Sequence, residues 1–332
     1  LLVVDSASKT VYCSRMMPMN GMGNMMPSAE STIIQALNYS SMGLSAGPQY
    51  VISSPAPHGL AINQDGSEVY TASNTADWLY KINTNTGEIV GSVMDANVNN
   101  PPDQTTQRLK PIQCLSVGNK LFVTCSAGPW MDPWTGQQTV IPGMLQLWDS
   151  ESMELIDTFE FSDYSSPWHI KNSPIDDLVY VALSGDNLYE TEGVACIRFD
   201  DAGLSLEWEI GNENFGTLHG IDVSRDGQNI FVSGRGDGFV HHINSNGEYI
   251  DNVFLGSMSM LGGLAIEKIG LPEPGNLNND SEINVTDVVL LVNTIFHPMM
   301  SNPYQNFASD MNFDNIINIV DVVLIVDLIL ND

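Results

Sequence analysis

Apolar and polar positions alternate along most of this chain, and Gly, Asn and Asp turns break the alternation every eight to twelve residues. A period of two sends successive side chains to opposite faces of an extended strand, so the pattern predicts antiparallel β-structure with no helix before residue 270. One phrase recurs. It runs His58-Gly59-Leu60-Ala61-Ile62-Asn63, a turn at Asp65-Gly66, then Glu68-Val69-Tyr70-Thr71-Ala72-Ser73. It returns as Cys114 to Val117 with Leu121 to Thr124, as His169 to Lys171 with Leu178 to Val181, and as His219 to Val223 with Ile230 to Ser233. A second pair of strands follows each, such as Trp78 to Asn83 with Glu88 to Met94. Four short strands at a period of 44 to 56 residues predict blades packed face to face around an axis.

With Leu1 to Ser14 counted as the start of another blade, five repeats are visible, and Gly262-Gly263-Leu264-Ala265-Ile266 matches an inner strand with no blade behind it. Either the chain ends share a blade, or an incomplete sheet pairs with another copy by strand addition, which would give self-assembly. The phrase P-H-G-L-A-I-N-x-D-G-S-E-V-Y-T-A-S, followed by I-N-T-N-T-G-E-I-V, resembles the YVTN family of β-propellers over residues 1–270. That resemblance implies a β-propeller fold and leaves the function open, because the family's functions are diverse.

After a linker at 271–275 (L-P-E-P-G) the pattern changes. A twelve-residue, oxygen-rich loop occurs twice, as Asn276, Asn278, Asp280, Asn284 and Asp287, then as Asp310, Asn312, Asp314, Asn318 and Asp321, each running into an apolar helix pattern. Side-chain oxygens at positions 1, 3, 5, 9 and 12, with the backbone carbonyl of position 7 (Glu282, Ile316) turned inward, suit a hard cation that takes six or seven oxygens at roughly 2.4 Å. The expectation is two calcium ions. Position 6 carries Ser281 and Asn315 in place of the usual Gly, and the first loop opens on neutral Asn276, so the second site should bind more tightly. The two units, 34 residues apart and each reading N-x-x-D-V-V, resemble the dockerin domain over residues 276–330. The resemblance implies a small all-α module over 276–332 that calcium holds together and a cohesin-like partner captures.

Forty acidic residues against eleven basic give a net charge of −29, which excludes nucleic acid and anionic membrane as partners, since both need basic patches. The apolar segments 288–296 and 322–330 are too short to span a bilayer, which takes about 20 apolar residues. The uncharged polar surface and the start at Leu1 read as an extracellular or cell-surface protein whose secretion signal has been removed. Cys114 and Cys125 flank a turn at Gly118-Asn119 and could pair as a disulfide, or remain two buried thiols.

Three histidines, His58, His169 and His219, read as equivalent positions before the inner strands. Converging at an axis, they could hold a transition metal. The plainer reading is that each bonds to the neighbouring blade, with Gln113 and Gly262 in that role elsewhere. The loop carrying Met16, Met17, Met19, Met22, Met25 and Met26 offers soft sulfur for copper, a hydrophobic contact surface, or an unstructured insertion. Trp130 and Trp134 on a blade connection suggest a carbohydrate or protein contact, or packing on a neighbouring loop. No nucleophile elbow, zinc-protease motif or phosphate-cradling loop is present. The reading that follows is a non-enzymatic surface or matrix protein, a propeller attached through its calcium module. Its alternative is an extracellular propeller enzyme, a copper-dependent oxidoreductase or a lyase, carried to a complex by the same module.

Overall fold

The alternation closes into five four-stranded antiparallel sheets. The computed structural model describes residues 1–14, 32–97, 100–132, 135–186, 189, 191–257, 259–266, 274–278, 282–297, 305, 308–312 and 316–331. The first sheet holds β1 (Leu2–Asp5), β2 (Thr10–Cys13), β3 (Thr32–Ser40) and β4 (Gly43–Ile52), and the second β5 (Pro57–Ile62), β6 (Glu68–Ser73), β7 (Trp78–Asn83) and β8 (Ile89–Val93). The third begins with β9 (Pro111–Val117) and β10 (Lys120–Cys125). A separate hairpin of β11 (Gly128–Met131) and β12 (Gln138–Ile141) comes next, and β13 (Met144–Asp149) and β14 (Leu155–Glu160) complete the sheet. The fourth contains β15 (Pro167–Asn172), β16 (Leu178–Leu183), β17 (Gly193–Phe199) and β18 (Leu204–Ile210). The fifth contains β19 (Leu218–Val223), β20 (Asn229–Gly234), β21 (Phe239–Asn244) and β22 (Tyr249–Phe254).

Each sheet buries both faces only by lying against its neighbours, and the clusters follow the blade order. Tyr12, Ile34 and Ile52 pack on Leu60, Val69 and Ile82; Phe122, Leu145 and Leu147 pack on Val179, Val181 and Ile197; Tyr180 and Val194 pack on Ile230 and Val232. This is why β16, buried at all six positions, reads Leu-Val-Tyr-Val-Ala-Leu without alternation.

The first strand of each blade lies innermost, with β1 against β5, β5 against β9, β9 against β15 and β15 against β19. Approach is close enough there to require glycine. A Cβ on Gly59 would strike the backbone of Gln113, and one on Gly220 would come within 2.8 Å of Leu264 N. The 262–266 segment therefore runs beside β19 as β9 runs beside β5, and Ile266 N donates to Asp222 Oδ2 at 2.9 Å. The β-propeller expectation is met, with five four-stranded blades among the described residues.

The contacts divide the chain into Leu1–Ile266 and Glu267–Asp332. In the second unit α1 (Val285–Phe296) and α2 (Ile319–Asn331) pack together around buried Leu277, Leu291, Ala308 and Ile325. Asn284 caps α1 in a capping box with Asp287. No helix among the described residues is long and apolar enough to cross a membrane.

Candidate active site

Strand register decides which inner-strand residues are equivalent. Pro57 pairs with Ser73 and Leu60 with Thr71; Pro167 pairs with Leu183 and Ile170 with Val181; Leu218 pairs with Gly234 and Ile221 with Val232. On that frame His58 and His219 match each other, and the residue matching them in the fourth blade is Trp168. His169 matches Gly59 and Gly220. The expected equivalence of three histidines is thus corrected by one residue, and the position of His58 and His219 is filled by Ile112 in the third blade and by Gly262 beside β19.

That position has a defined job. His58 Nδ1 lies 2.6 Å from Ile112 O, and His219 Nδ1 is hydrogen-bonded to Gly262 O. A carbonyl can only accept, so Nδ1 carries the proton in both rings and each Nε2 keeps its lone pair. At the next position side chains reach the following blade. Gln113 Oε1 accepts from Ile170 N at 3.0 Å, and the His169 ring meets the His219 ring edge to face at 4.6 Å. Trp168 stands between the two fixed histidines, 6.0 Å from the His58 ring and 5.0 Å from the His219 ring. Its Nε1 is buried and has no hydrogen-bonding partner among the described residues.

The imidazoles are held neutral. Burial pushes the pKa of all three down, to about 3 for His169, where the neighbouring His219 and His58 add to the effect. At His219 the bond to Gly262 opposes burial, and the nearby guanidinium of exposed Arg235 reinforces it. The site therefore combines bases that stay unprotonated, an unsatisfied indole N–H and one cation. Among the described residues no group of three or more His, Cys, Asp or Glu could hold a metal ion. The Met16, Met17, Met19, Met22, Met25 and Met26 loop lies outside the described residues, as do Trp134, Asp280 and Asp314.

Cys114 and Cys125 are buried, free thiols. Of the two readings the buried thiols hold, since Cys114 faces Val123 and Cys125 faces Pro111 across the ladder, with a bulge at Thr124/Cys125. Burial raises both pKa values, Cys114 to about 12, so neither is a nucleophile at neutral pH.

In the second unit the two loops repeat one geometry. Asp287 Oδ1 accepts from Leu277 N (2.7 Å) and Asn278 N (3.1 Å), and its Oδ2 accepts from Asn284 N (3.0 Å). Asp321 does the same with Met311 N and Asn318 N, both at 2.8 Å. Asn284 and Asn318 cap their helices through Thr286 N and Val320 N. Asn276, Asn278, Glu282, Asp310, Asn312 and Ile316 all fall within these turns.

No family model matches the chain, and no curated protein matches it. Solved structures do. The periplasmic gluconolactonase of Pseudomonas aeruginosa is similar at a TM-score of 0.56 and 14% identity, over 77% of this chain and 72% of that one. A candidate 6-phosphogluconolactonase from Bacteroides uniformis gives 0.54 and 15%, over 77% and 71%. A Lactobacillus plantarum protein gives 0.50 and 14%, over 76% and 70%.

Likeness at this identity is a likeness of fold, and it supports the propeller; it carries nothing on the YVTN or dockerin resemblances. It also corrects the expected function. Two solved proteins of this fold carry lactonase names, and lactonases are enzymes, which stands against the non-enzymatic surface or matrix reading, and that reading is set aside. The physical reason is that an axial site has no contiguous motif: its members come from separate blades about 50 residues apart. Trp168 and Arg235 were overlooked for the same reason. The prolines at 57, 111 and 167 mark the strand starts, and aligning on them would have matched Trp168 to His58.

Proposed function

We propose that the propeller is a lactone hydrolase working at the cluster of His58, Trp168, His169 and His219. The observation that carries this reading is the pair of imidazoles whose Nδ1–H is tied to a carbonyl, leaving Nε2 as a fixed, neutral base. An Nε2 lone pair takes a proton from water, and the water oxygen attacks the lactone carbonyl carbon. The π electrons move onto the carbonyl oxygen, where the Trp168 indole N–H and the Arg235 charge stabilise them. As the carbonyl re-forms, the ring C–O bond breaks and the imidazolium returns its proton to the leaving oxygen, giving a hydroxy acid. Glucono-δ-lactone opening, followed by acid release above the spontaneous rate, tests this; no acceleration with any lactone would overturn it.

For the second unit we propose two calcium ions as the resident cofactor. The donors are carboxylate and amide oxygens, which suit a hard cation. Asp287 and Asp321 are fully buried, while residues 276–332 contain eight side-chain carboxylates and no Lys or Arg to offset them. Exposed Val289, Phe296, Val323 and Leu330 on the helices support attachment of the enzyme to a cohesin-like partner outside the cell. Chelation is expected to abolish the helical signal of this unit and leave the propeller melt in place, because ion binding is folding energy in so small a unit. An unchanged helical signal in excess chelator would refute it.

A further inference from the structure

The face that carries the histidines also carries a preformed apolar pocket. The β11–β12 hairpin leaves β10 after Cys125, which pairs with Pro111 at the start of β9, and Tyr164 lies in the connection that enters β15 ahead of Trp168 and His169. Both elements therefore stand at the end of the inner strands where the imidazoles sit. Between them is a pocket of about 400 Å³, lined mainly by apolar surface of Trp130, Met131, Val140 and Tyr164, with Gln138 and Thr139 also in its lining.

Its walls are fixed in advance. Trp130 Nε1 donates to Thr106 O at 2.9 Å, the Arg108 guanidinium lies 5.6 Å from the Trp130 ring centroid, and Tyr164 stacks on Tyr189 at 4.5 Å. The cations nearby are committed: Arg108 is ion-paired with Asp95, and Lys110 Nζ donates to Ala127 O at 2.7 Å and Pro129 O at 3.3 Å. Desolvation first, then Tyr189, and then the carboxylates of Asp163 and Asp186 raise the pKa of Tyr164. Among the described residues a phosphate would meet the carboxylates of Asp163 and Asp186 here, with the charges of Arg108 and Lys110 already engaged by Asp95 and by the carbonyls of Ala127 and Pro129.

We infer that this pocket receives an apolar substituent of the substrate, so that, given the lactonase reading on which this rests, the enzyme opens uncharged alkyl-substituted lactones in preference to phosphorylated sugar lactones. A preformed apolar pocket gains affinity by removing alkyl surface from water.

The test uses the full chain with δ-valerolactone, δ-octalactone, δ-decalactone and 6-phosphogluconolactone, alongside calorimetric titration with the non-hydrolysable 6-pentyl-δ-lactam. The kcat/KM is expected to rise up to about fourfold per added methylene, and the phosphorylated lactone to be the poorest of the set. Trp130→Ala should flatten the chain-length dependence and abolish saturable lactam binding. Val140→Phe, which fills the pocket and keeps the Trp130 hydrogen bond, should do the same if the first variant misfolds. A flat series, a preference for the phosphorylated substrate, or no saturable lactam binding would overturn the pocket. Lactam binding lost in the variants, with no lactone turned over by the parent chain, would uphold the pocket and overturn the lactonase reading instead.

Discussion

Replacing His219 with glutamine is expected to lower kcat/KM for lactone opening by roughly 10²- to 10⁴-fold, the usual contribution of a positioned general base. Glutamine can still donate to Gly262 O from its amide, yet it offers no lone pair comparable to Nε2, so the loss should fall on kcat and leave the fold intact. The pH profile provides the check. Burial lowers the pKa of His58, His169 and His219 from the ordinary value near 6.5, so the parent enzyme should hold its rate below pH 6.5 and lose it only at more acidic pH. Stability follows the same sign. A histidine whose folded pKa is depressed contributes stability that is present above its unfolded pKa and lost as pH falls, by up to about 1.4 kcal/mol per pH unit per histidine. For His169 the window runs from about 6.5 down to about 3. A variant that keeps parental kcat, or a parent whose acid limb lies above 6.5, would remove the imidazole from the mechanism.

How much of this was legible depended on whether the information lay along one stretch of chain. The blades were, because each repeats one strand-turn-strand phrase, and Gly59 and Gly220 follow their histidines where the next inner segment comes too close for a Cβ. The loop turns were legible as well, since Asn284 and Asp287, or Asn318 and Asp321, act on backbone within ten residues of themselves. The axial cluster was not. Both inner strands, β5 and β15, carry the same bulge after their first proline, so Trp168 rather than His169 takes the place of His58, and matching histidine to histidine by letter passed over it. The choice between a bridge and two thiols was not legible either: Cys114 and Cys125 flank a turn in sequence, but the ladder sets each against a different residue.

Asp77 makes the same point about non-local partners, and its loss should have the largest effect on stability. Its backbone is left-handed at φ 56°, a conformation Asp and Asn tolerate better than most residues. Fully buried, it gathers the connection into β9: Oδ2 accepts from Arg108 N (3.0 Å), Leu109 N (3.1 Å) and the Thr106 hydroxyl, and Oδ1 accepts from Lys110 N (3.0 Å). Burial raises its pKa even against those bonds. Alanine there would strand three backbone N–H groups, each costing about 1 to 3 kcal/mol when unsatisfied, and would add strain at positive φ. The expected loss is about 3 to 5 kcal/mol, a large part of the 5 to 15 kcal/mol typical of a domain. Asp77→Asn keeps the tolerated backbone and one acceptor oxygen, so it should fall between the two. Urea unfolding reads this directly, as a lower midpoint of the propeller transition at constant slope. An Asp77→Ala midpoint equal to the parent's would mean that the 104–110 connection is held by other contacts, and that the start of β9, with Gln113 and the Ile112 carbonyl that fixes His58, does not depend on this carboxylate.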